Sequence, residues 1–234
     1  MTWALSENAK LVRRKVYEQF LSKGCCDGTG ALLKQTGLAP DVLDETIEEL
    51  ERALMVMCPP GTRDVAKCPP WTNVPTRHSI EVGGKHVAHA GCSLEAMNAS
   101  YCYPGEVVTI RTACPETGTE IVIRLKGNEQ LEVTPSTVVG HTGVDPAVWS
   151  DNWFHACAHN NFFASREAVA EWEAKHPEHR GVTLTMEQLQ RFAGYTERLD
   201  YERGADPNEP RDANTLFGRL GIEFPANWKR LAAA

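Results

Sequence analysis

Hydrophobic residues recur with helical spacing along the N-terminal quarter of the chain. After Ser6, whose side chain suits a helix N-cap, apolar residues return with the period of an α-helix until Gly24. A second, short helix is predicted over residues 31–35. Pro40 stands at the first turn of a third predicted helix, which has a continuous apolar stripe. Three short helices joined by tight turns predict a helix-turn-helix-like subdomain.

From about residue 78 the pattern changes to short runs of β-branched residues separated by turn residues. Gly83-Gly84 predicts a tight hairpin, and the run from Pro115 to Gly118 predicts a turn between two antiparallel strands. The predicted strands cover residues 78–81, 86–89, 107–112, 119–125, 131–134 and 138–139. Helices are predicted over residues 94–99, 165–175 and 185–202.

These elements predict an α+β protein in three parts. Residues 1–76 hold the three-helix subdomain and a linker. The proline-rich segment 58–76 is predicted to be a loop, since its prolines disfavour helix and favour extended chain. Residues 77–203 are predicted to form a core of antiparallel strands with packed helices, and residues 204–234 a C-terminal extension. The chain has 234 residues, of which 42% are hydrophobic, so it can bury such a core.

The charge distribution argues against a nucleic-acid partner. The net charge is -7, and the third helix is rich in Asp and Glu, whereas phosphate contacts need clustered Lys and Arg. No apolar run approaches the roughly 20 residues that cross a bilayer, and the N-terminus lacks a signal-peptide pattern. We therefore expect a cytoplasmic protein with no membrane partner, whose eight cysteines are reduced.

Two thiols and a carboxyl group are the strongest candidates for chemistry. Cys92 and Glu95 lie in the run Ala-Gly-Cys-Ser-Leu-Glu, and Cys157 follows farther along the chain. Thiolates bind soft metals such as mercury, copper(I) and zinc, and a neighbouring carboxyl group can transfer protons. Each residue alone has a plainer interpretation, since free cysteine is usually a small buried hydrophobe and a helical glutamate is usually solvated. His155 and His159 flank Cys157 and either lower its pKa or cover a helix end.

Three ordered stretches of sequence add a further signal. They are residues 91–95, residues 114–118 ahead of a predicted strand, and residues 157–165, which run through paired phenylalanines into a predicted helix. Together they resemble the organomercurial lyase (alkylmercury lyase) family. The resemblance implies an alkylmercury-lyase-like core over residues 77–203. It also implies that Cys92 and Cys157 are catalytic nucleophiles and mercury ligands, and that Cys114 is structural. Glu95 occupies the position of the catalytic acid and is a third candidate ligand; the family usually has aspartate there.

The implied reaction is cleavage of a carbon–mercury bond by protonolysis, in mercury resistance and detoxification. Two thiolates on mercury make the bonded carbon basic enough to accept a proton. Glu95 supplies that proton, which favours an apolar pocket that raises the pKa of its carboxyl group. His141 and Asn161 are further candidates for the pocket lining.

The implied partners are small molecules. The substrate is an organomercurial, and no cofactor is required. Hg(II) is the bound product, and copper is a second candidate for the same thiols. Low-molecular-weight thiols would release the product, and mercuric reductase is a candidate protein partner.

Two other functions stay open at this stage. With glutamate in place of aspartate, the same fold could carry copper or mercury through Cys92 and Cys157 without turnover. Alternatively, the protein acts in a biosynthetic pathway on another organometal or organosulfur substrate, which the additional C-terminal residues allow.

Overall fold

The structure is a computed structural model that describes residues 5–53 and 55–198, together with the single residues 218, 221, 222, 225 and 228. The described residues form an α+β fold, as predicted, and it consists of two antiparallel sheets and seven α-helices. Most of the predicted C-terminal extension, and the end of the helix predicted over residues 185–202, lie outside the described residues. None of the described helices is long and apolar enough to cross a membrane.

Three helices form the N-terminal subdomain. They are α1 (Glu7–Lys23), α2 (Thr29–Thr36) and α3 (Pro40–Arg52). The predicted ends of α1 are confirmed: the Ser6 side chain accepts a hydrogen bond from the backbone N–H of Ala9 at 3.1 Å, and Gly24 ends the helix with φ of 75°. Gly24 also permits a close approach, because a Cβ there would lie 1.9 Å from the carbonyl oxygen of Val87. The buried apolar faces of α1 and α3 pack together and join the main core.

A seven-stranded antiparallel sheet is the larger of the two sheets. Its strands are β1 (Lys67–Cys68), β2 (Trp71–Thr72), β3 (His78–Val82), β4 (Lys85–Ala90), β5 (Val108–Ala113), β6 (Glu120–Lys126) and β7 (Glu129–Thr134). Their spatial order is β1-β2-β4-β3-β5-β6-β7. Both predicted hairpins, at Gly83-Gly84 and at residues 115–118, are confirmed. On β5 and β6 buried and exposed residues alternate, so that one face, including Ile110 and Ile123, joins the core.

The segment predicted as a proline-rich loop contains the edge of this sheet. β1 and β2 pair with each other, and Trp71 of β2 pairs with Ala90 at the end of β4. Tyr17 of α1 donates a hydrogen bond to the carbonyl oxygen of Pro69 at 2.8 Å. The assignment of residues 58–76 entirely to a loop is therefore wrong. The prolines exclude helix, as expected, but the residues between them still pair at a sheet edge. The domain boundary at residue 76 stays a prediction.

A second, three-stranded antiparallel sheet has the order β10-β8-β9. Its strands are β8 (Val139–Thr142), β9 (Asn160–Phe163) and β10 (Val182–Leu184). Every residue of β8 and β9 is buried, which is typical of strands covered on both faces.

Four further helices and two short 3₁₀ helices complete the described elements. They are α4 (Ser93–Cys102), α5 (Trp153–Ala158), α6 (Arg166–Lys175) and α7 (Met186–Arg198), with 3₁₀ turns at Pro146–Asp151 and Pro177–His179. α4 contacts strands of both sheets and also α7, so it connects the two halves of the core. α4, α6 and the described part of α7 confirm the predicted helices. The six-residue α5 was not predicted, since so short a helix leaves no readable periodicity.

Candidate active site

The two thiols and the carboxyl group singled out from the sequence come together in the structure. Their ligand atoms, in Cys92, Glu95 and Cys157, lie within 4.8 Å of one another. Sγ of Cys157 lies 3.9 Å from Oε1 of Glu95, at the outer limit of an S–H···O hydrogen bond. All three residues are buried, with 3%, 7% and 5% of their surface exposed in that order. A buried pair of thiols beside a carboxyl group is a donor set suited to a soft cation.

The N-terminus of α4 positions two members of this group. β4 ends at Ala90, and Cys92 is the N-cap residue of α4, with an extended backbone. Glu95 lies in the first turn of the helix. Residues three apart on a helix lie on the same side, so this spacing brings the thiol and the carboxyl group together. The positive end of the helix dipole favours negative charge at both positions.

Lys67 is a fourth member of the site, and the sequence analysis missed it. Its Nζ lies 2.6 Å from Sγ of Cys157 and 2.8 Å from Oε1 of Glu95. Only 1% of its surface is exposed. Strand register brings it there, since Lys67 pairs with Thr72 of β2, and β2 pairs with the end of β4. The ring of Trp153 lies 6.0 Å from Nζ, at the outer range of a cation–π contact.

Gly91 leaves the space that the lysine and the carboxyl group occupy. A Cβ at this position would lie 2.2 Å from Oε2 of Glu95 and 2.6 Å from Nζ of Lys67. Both distances are far below van der Waals contact, so any larger residue would displace the two charged groups. The glycine is therefore part of the packing that defines the site.

The charges of the site depend on one another. Burial alone lowers the pKa of Lys67, but the Glu95 carboxylate and the sulfurs of Cys157 and Cys92 raise it above its ordinary value. Lys67 is therefore an ammonium group at neutral pH. The pKa of Cys92 is raised well above its ordinary value, first by burial and then by Cys157 and Glu95, while Lys67 acts in the opposite direction. Cys92 is therefore a neutral thiol, while the ammonium group of Lys67 lies against the sulfur of Cys157.

The surroundings of Glu95 differ from the apolar pocket expected from the sequence. Oε1 accepts a hydrogen bond from Lys67, a residue that the sequence analysis had placed in a linker. Oε2 is buried and has no hydrogen-bond partner among the described residues. A buried carboxylate oxygen without a partner is unfavourable, so Oε2 is the atom available to a proton or an incoming ligand.

The short helix α5 places the second thiol. The side chain of Asn152 caps this helix by accepting a hydrogen bond from the backbone N–H of His155 at 3.0 Å. Cys157 is buried near its end, and the chain then enters β9 through His159. His155 and His159 group with His179 rather than with the thiols and the carboxyl group. Burial and the charges of His179 and His155 lower the pKa of His159 to about 4.

The third cysteine of the family resemblance lies elsewhere. Cys114 is 2% exposed and stands in the turn between β5 and β6. Burial raises the pKa of its thiol, but hydrogen bonds from Thr117 and from the backbone of Ala164 lower it below the ordinary value overall. These contacts connect the turn to the chain just before α6. The structural role implied for Cys114 stays a prediction that its burial supports.

The two residues suggested as pocket lining are held by other hydrogen bonds. Nε2 of His141 lies 2.9 Å from Oε1 of Glu173, and the side chain of Asn161 donates to the carbonyl oxygen of Ala158 at 2.8 Å. Their place in a substrate pocket stays a prediction.

The fold and the site define a class of protein: an α+β scaffold that buries two thiols, a carboxyl group and an ammonium group at one point. A family profile described as alkylmercury lyase (MerB) matches residues 71–196, which is more than half of the chain. The chain belongs to the alkylmercury lyase family.

A solved structure has the same fold. The crystal structure of the mercury-bound form of MerB2 matches with a TM-score of 0.65 and 21% sequence identity, covering 82% of this chain and 90% of that chain. At this identity the likeness concerns the fold alone. A search of curated protein sequences finds no match.

Lys67 lies just before the matched range, in the segment that was predicted to be a linker. The sequence does contain a signal for it. Lys67 is the one charged residue in the run from Val65 to Trp71, and an isolated lysine among apolar residues is seldom buried without a functional or structural partner. Its partners, however, lie far away in the sequence.

Proposed function

We propose that this protein is an organomercurial lyase that cleaves the carbon–mercury bond of a small organomercurial and releases a hydrocarbon. The proposal rests on one observation: the side chains of Cys92, Glu95 and Cys157 are buried together in a chain of the alkylmercury lyase family. The mercury-bound state of the similar structure supports mercury as the metal of the substrate.

The closeness of the ligand atoms supports binding of one soft cation by both sulfurs. At a metal–sulfur distance of about 2.3 Å, the value for zinc, sulfurs on opposite sides of one ion are about 4.6 Å apart. The ligand atoms here lie within 4.8 Å of one another. Cys157 binds the organomercurial first, because Lys67 lies 2.6 Å from its sulfur and balances the charge of a thiolate. Cys92, whose pKa is raised, binds second and gives up its proton as it does so.

The proton that leaves Cys92 is the one that the reaction needs. Oε2 of Glu95 has no partner among the described residues, and it accepts this proton. The carboxylic acid then protonates the carbon bonded to mercury. The electron pair of the carbon–mercury bond becomes the new carbon–hydrogen bond, and the hydrocarbon leaves. Mercury stays as Hg(II) on two thiolates, so that nothing is oxidised or reduced, and free thiols remove it.

Lys67 has a positioning and charge-balancing part in this scheme. Before the substrate arrives, its ammonium group contacts both Oε1 of Glu95 and Sγ of Cys157. The cationic organomercurial then supplies the positive charge at the sulfur. The contact between Lys67 and Cys157 gives way to the sulfur–mercury bond, while Lys67 keeps the carboxyl group in place through Oε1.

The residue roles can be tested with phenylmercury, excess thiol and measurement of benzene. Cys92→Ser and Cys157→Ser should each abolish benzene release and tight retention of Hg(II). Glu95→Gln should retain the metal but slow protonolysis by about 10²–10⁴-fold, since an amide cannot donate an acidic proton. Glu95→Asp should maintain or improve activity if the family chemistry operates. Cys25→Ser is the matched control, because Cys25 is a partly exposed thiol outside the site.

The outcomes separate the three candidate functions. Benzene release that survives either active-site serine variant would remove that cysteine from the mechanism. Unchanged turnover in Glu95→Gln would refute its role as the acid. Tight metal binding by the unmodified protein without any hydrocarbon would instead favour a carrier or an enzyme that acts on another substrate.

A further inference from the structure

A second group of ligand atoms lies near the surface. Imidazole nitrogens of His155, His159 and His179 lie within 4.8 Å of one another. His155 is exposed and the other two are half-buried, so an ion in solution can reach them. His155 and His159 are one helical turn apart at the end of α5, and His179 ends the 3₁₀ helix Pro177–His179. The proposed lyase reaction uses none of them.

We propose that these three histidines form a binding site for a divalent transition-metal ion such as Zn²⁺, separate from the thiol site. Imidazole is a ligand for zinc, copper, iron and nickel, whereas the softer mercury ion prefers thiolates. Three histidines with an open fourth position for water are a known coordination set for zinc. The histidine cluster therefore offers nitrogen ligands alone, whereas the thiol site favours the softest ions.

The three rings lie close together, but the planes of His159 and His179 are stacked at 21°, so their nitrogens do not yet point at a common ion. A zinc–nitrogen distance of about 2.0–2.1 Å places the nitrogens of a tetrahedral site about 3.3–3.4 Å apart. The ring centroids of His159 and His179 are 3.6 Å apart, and those of His155 and His159 are 4.6 Å apart. Binding therefore requires side-chain rotations that bring the nitrogens from within 4.8 Å to that separation and turn them toward one point.

The backbone holds the two segments of the cluster close together. The N–H of Gly143 donates a hydrogen bond to the carbonyl oxygen of His159 at 3.0 Å. A Cβ at Gly143 would lie 2.8 Å from the carbonyl oxygen of His179. The glycine thus lets both histidine-bearing segments pack against the same point, so the backbones that carry the three ligands are close together before a metal ion binds.

A carboxylate lies beside the cluster. Oε1 of Glu178 is 3.9 Å from Nε2 of His179 and 3.8 Å from Nδ1 of His176. A carboxylate near a ligating histidine orients the ring and offsets part of the charge of a bound cation. Metal bound here would also tie α5, the helix that carries Cys157, to the chain just before β10.

The direct test is a calorimetric titration of Zn²⁺ into the full chain carrying both Cys92→Ser and Cys157→Ser, so that the thiol site cannot bind. We expect one equivalent to bind. At a free Zn²⁺ concentration about 100 times Kd, the melting temperature should rise by roughly 5–10 °C. Co²⁺ in place of Zn²⁺ should give visible absorption bands typical of nitrogen ligands, without the intense thiolate charge-transfer bands of a cysteine site.

Variants of the cluster decide whether the histidines are the ligands. In the same background, His155→Gln, His159→Gln and His179→Gln should each weaken Zn²⁺ binding at least tenfold. His86→Gln is the matched control, because the ring of His86 lies beside that of one other histidine, His89, at a centroid distance of 4.8 Å, and not in the three-histidine cluster. The Zn²⁺ affinity of this variant should equal that of the protein that carries only the two cysteine substitutions.

Three results would overturn the proposal: no Zn²⁺ binding without the two thiols, thiolate bands with Co²⁺, or an affinity that all three cluster variants retain. If a half-buried histidine variant fails to fold, His155→Gln decides the question, because this residue is exposed and its ring can be removed without opening the core.

Discussion

Removal of the Lys67 charge should destabilise the protein strongly. Nζ of Lys67 lies 2.8 Å from Oε1 of Glu95, and the two side chains are 2% and 9% exposed. Lys67→Met keeps most of the length and the apolar stem of the side chain but removes its ammonium group. The Glu95 carboxylate would then be buried without a cation.

The expected magnitude follows from the distance and the burial. With an effective dielectric constant of about 20, two unit charges at the observed 2.8 Å attract each other by about 6 kcal/mol. In the unmodified protein most of this attraction offsets the cost of removing both ions from water. Losing one partner leaves that cost without compensation, so Lys67→Met should lower the free energy of unfolding by about 3–5 kcal/mol. For a chain of this length, that change lowers the melting temperature by roughly 6–20 °C.

The assay is a double-mutant cycle by urea unfolding at pH 7 under reducing conditions. The variant that combines Lys67→Met with Glu95→Gln removes both charges, so it should be more stable than the sum of the single effects predicts, by a few kcal/mol. Arg124→Met and Glu132→Gln form the matched control cycle. That pair is 3.1 Å apart but about half exposed, so its coupling should stay below about 1 kcal/mol. Additive effects at Lys67 and Glu95, within about 0.5 kcal/mol, would show that the two charges do not stabilise each other.

Two further predictions concern packing and pH. Gly91→Ala should displace Glu95 and Lys67, lower the free energy of unfolding measured in urea by about 1–3 kcal/mol, and reduce lyase turnover. The control is Gly30→Ala, which lies in open space on α2 and should be neutral or stabilising. Equal effects of the two substitutions would contradict the close packing at Gly91. Burial lowers the pKa of His78 to about 3, so its contribution to stability is present above pH 6.5 and is lost as the pH falls toward 3. Between pH 7.5 and pH 5 the free energy of unfolding should fall by about 2 kcal/mol because of His78, and the His78→Gln variant should not show this fall. An unchanged pH dependence in that variant would show that His78 is not the cause.

Much of the fold follows from patterns that are local in the sequence. α1 has a capping serine and a terminating glycine, and β5 and β6 alternate between buried and exposed residues about a short turn. Such elements can be predicted because period and turn chemistry are properties of neighbouring residues. β1, β2 and α5 could not be predicted in the same way, because strands of two residues and a helix of six leave no measurable period.

The site likewise combines residues that local sequence patterns indicate with residues that only the tertiary structure brings in. The convergence of Cys92, Glu95 and Cys157 followed from the family resemblance, and Glu95 lies one helical turn from Cys92. The ammonium group beside them comes from Lys67, whose position depends on the register of β1, β2 and β4. For this reason the sequence predicted an apolar pocket around Glu95, where the structure has an ion pair. His179 likewise joins the surface cluster only through tertiary contacts.

A lyase that turns over releases more than one hydrocarbon per protein molecule, so the amount of hydrocarbon formed distinguishes it from a protein that only binds mercury. Purified protein is incubated without oxygen with phenylmercury and excess thiol, and the benzene released is measured. The proposed reaction predicts several equivalents of benzene per protein, because thiols clear Hg(II) from Cys92 and Cys157 after each cycle. Tight binding of mercury with no benzene above the protein-free control would contradict it.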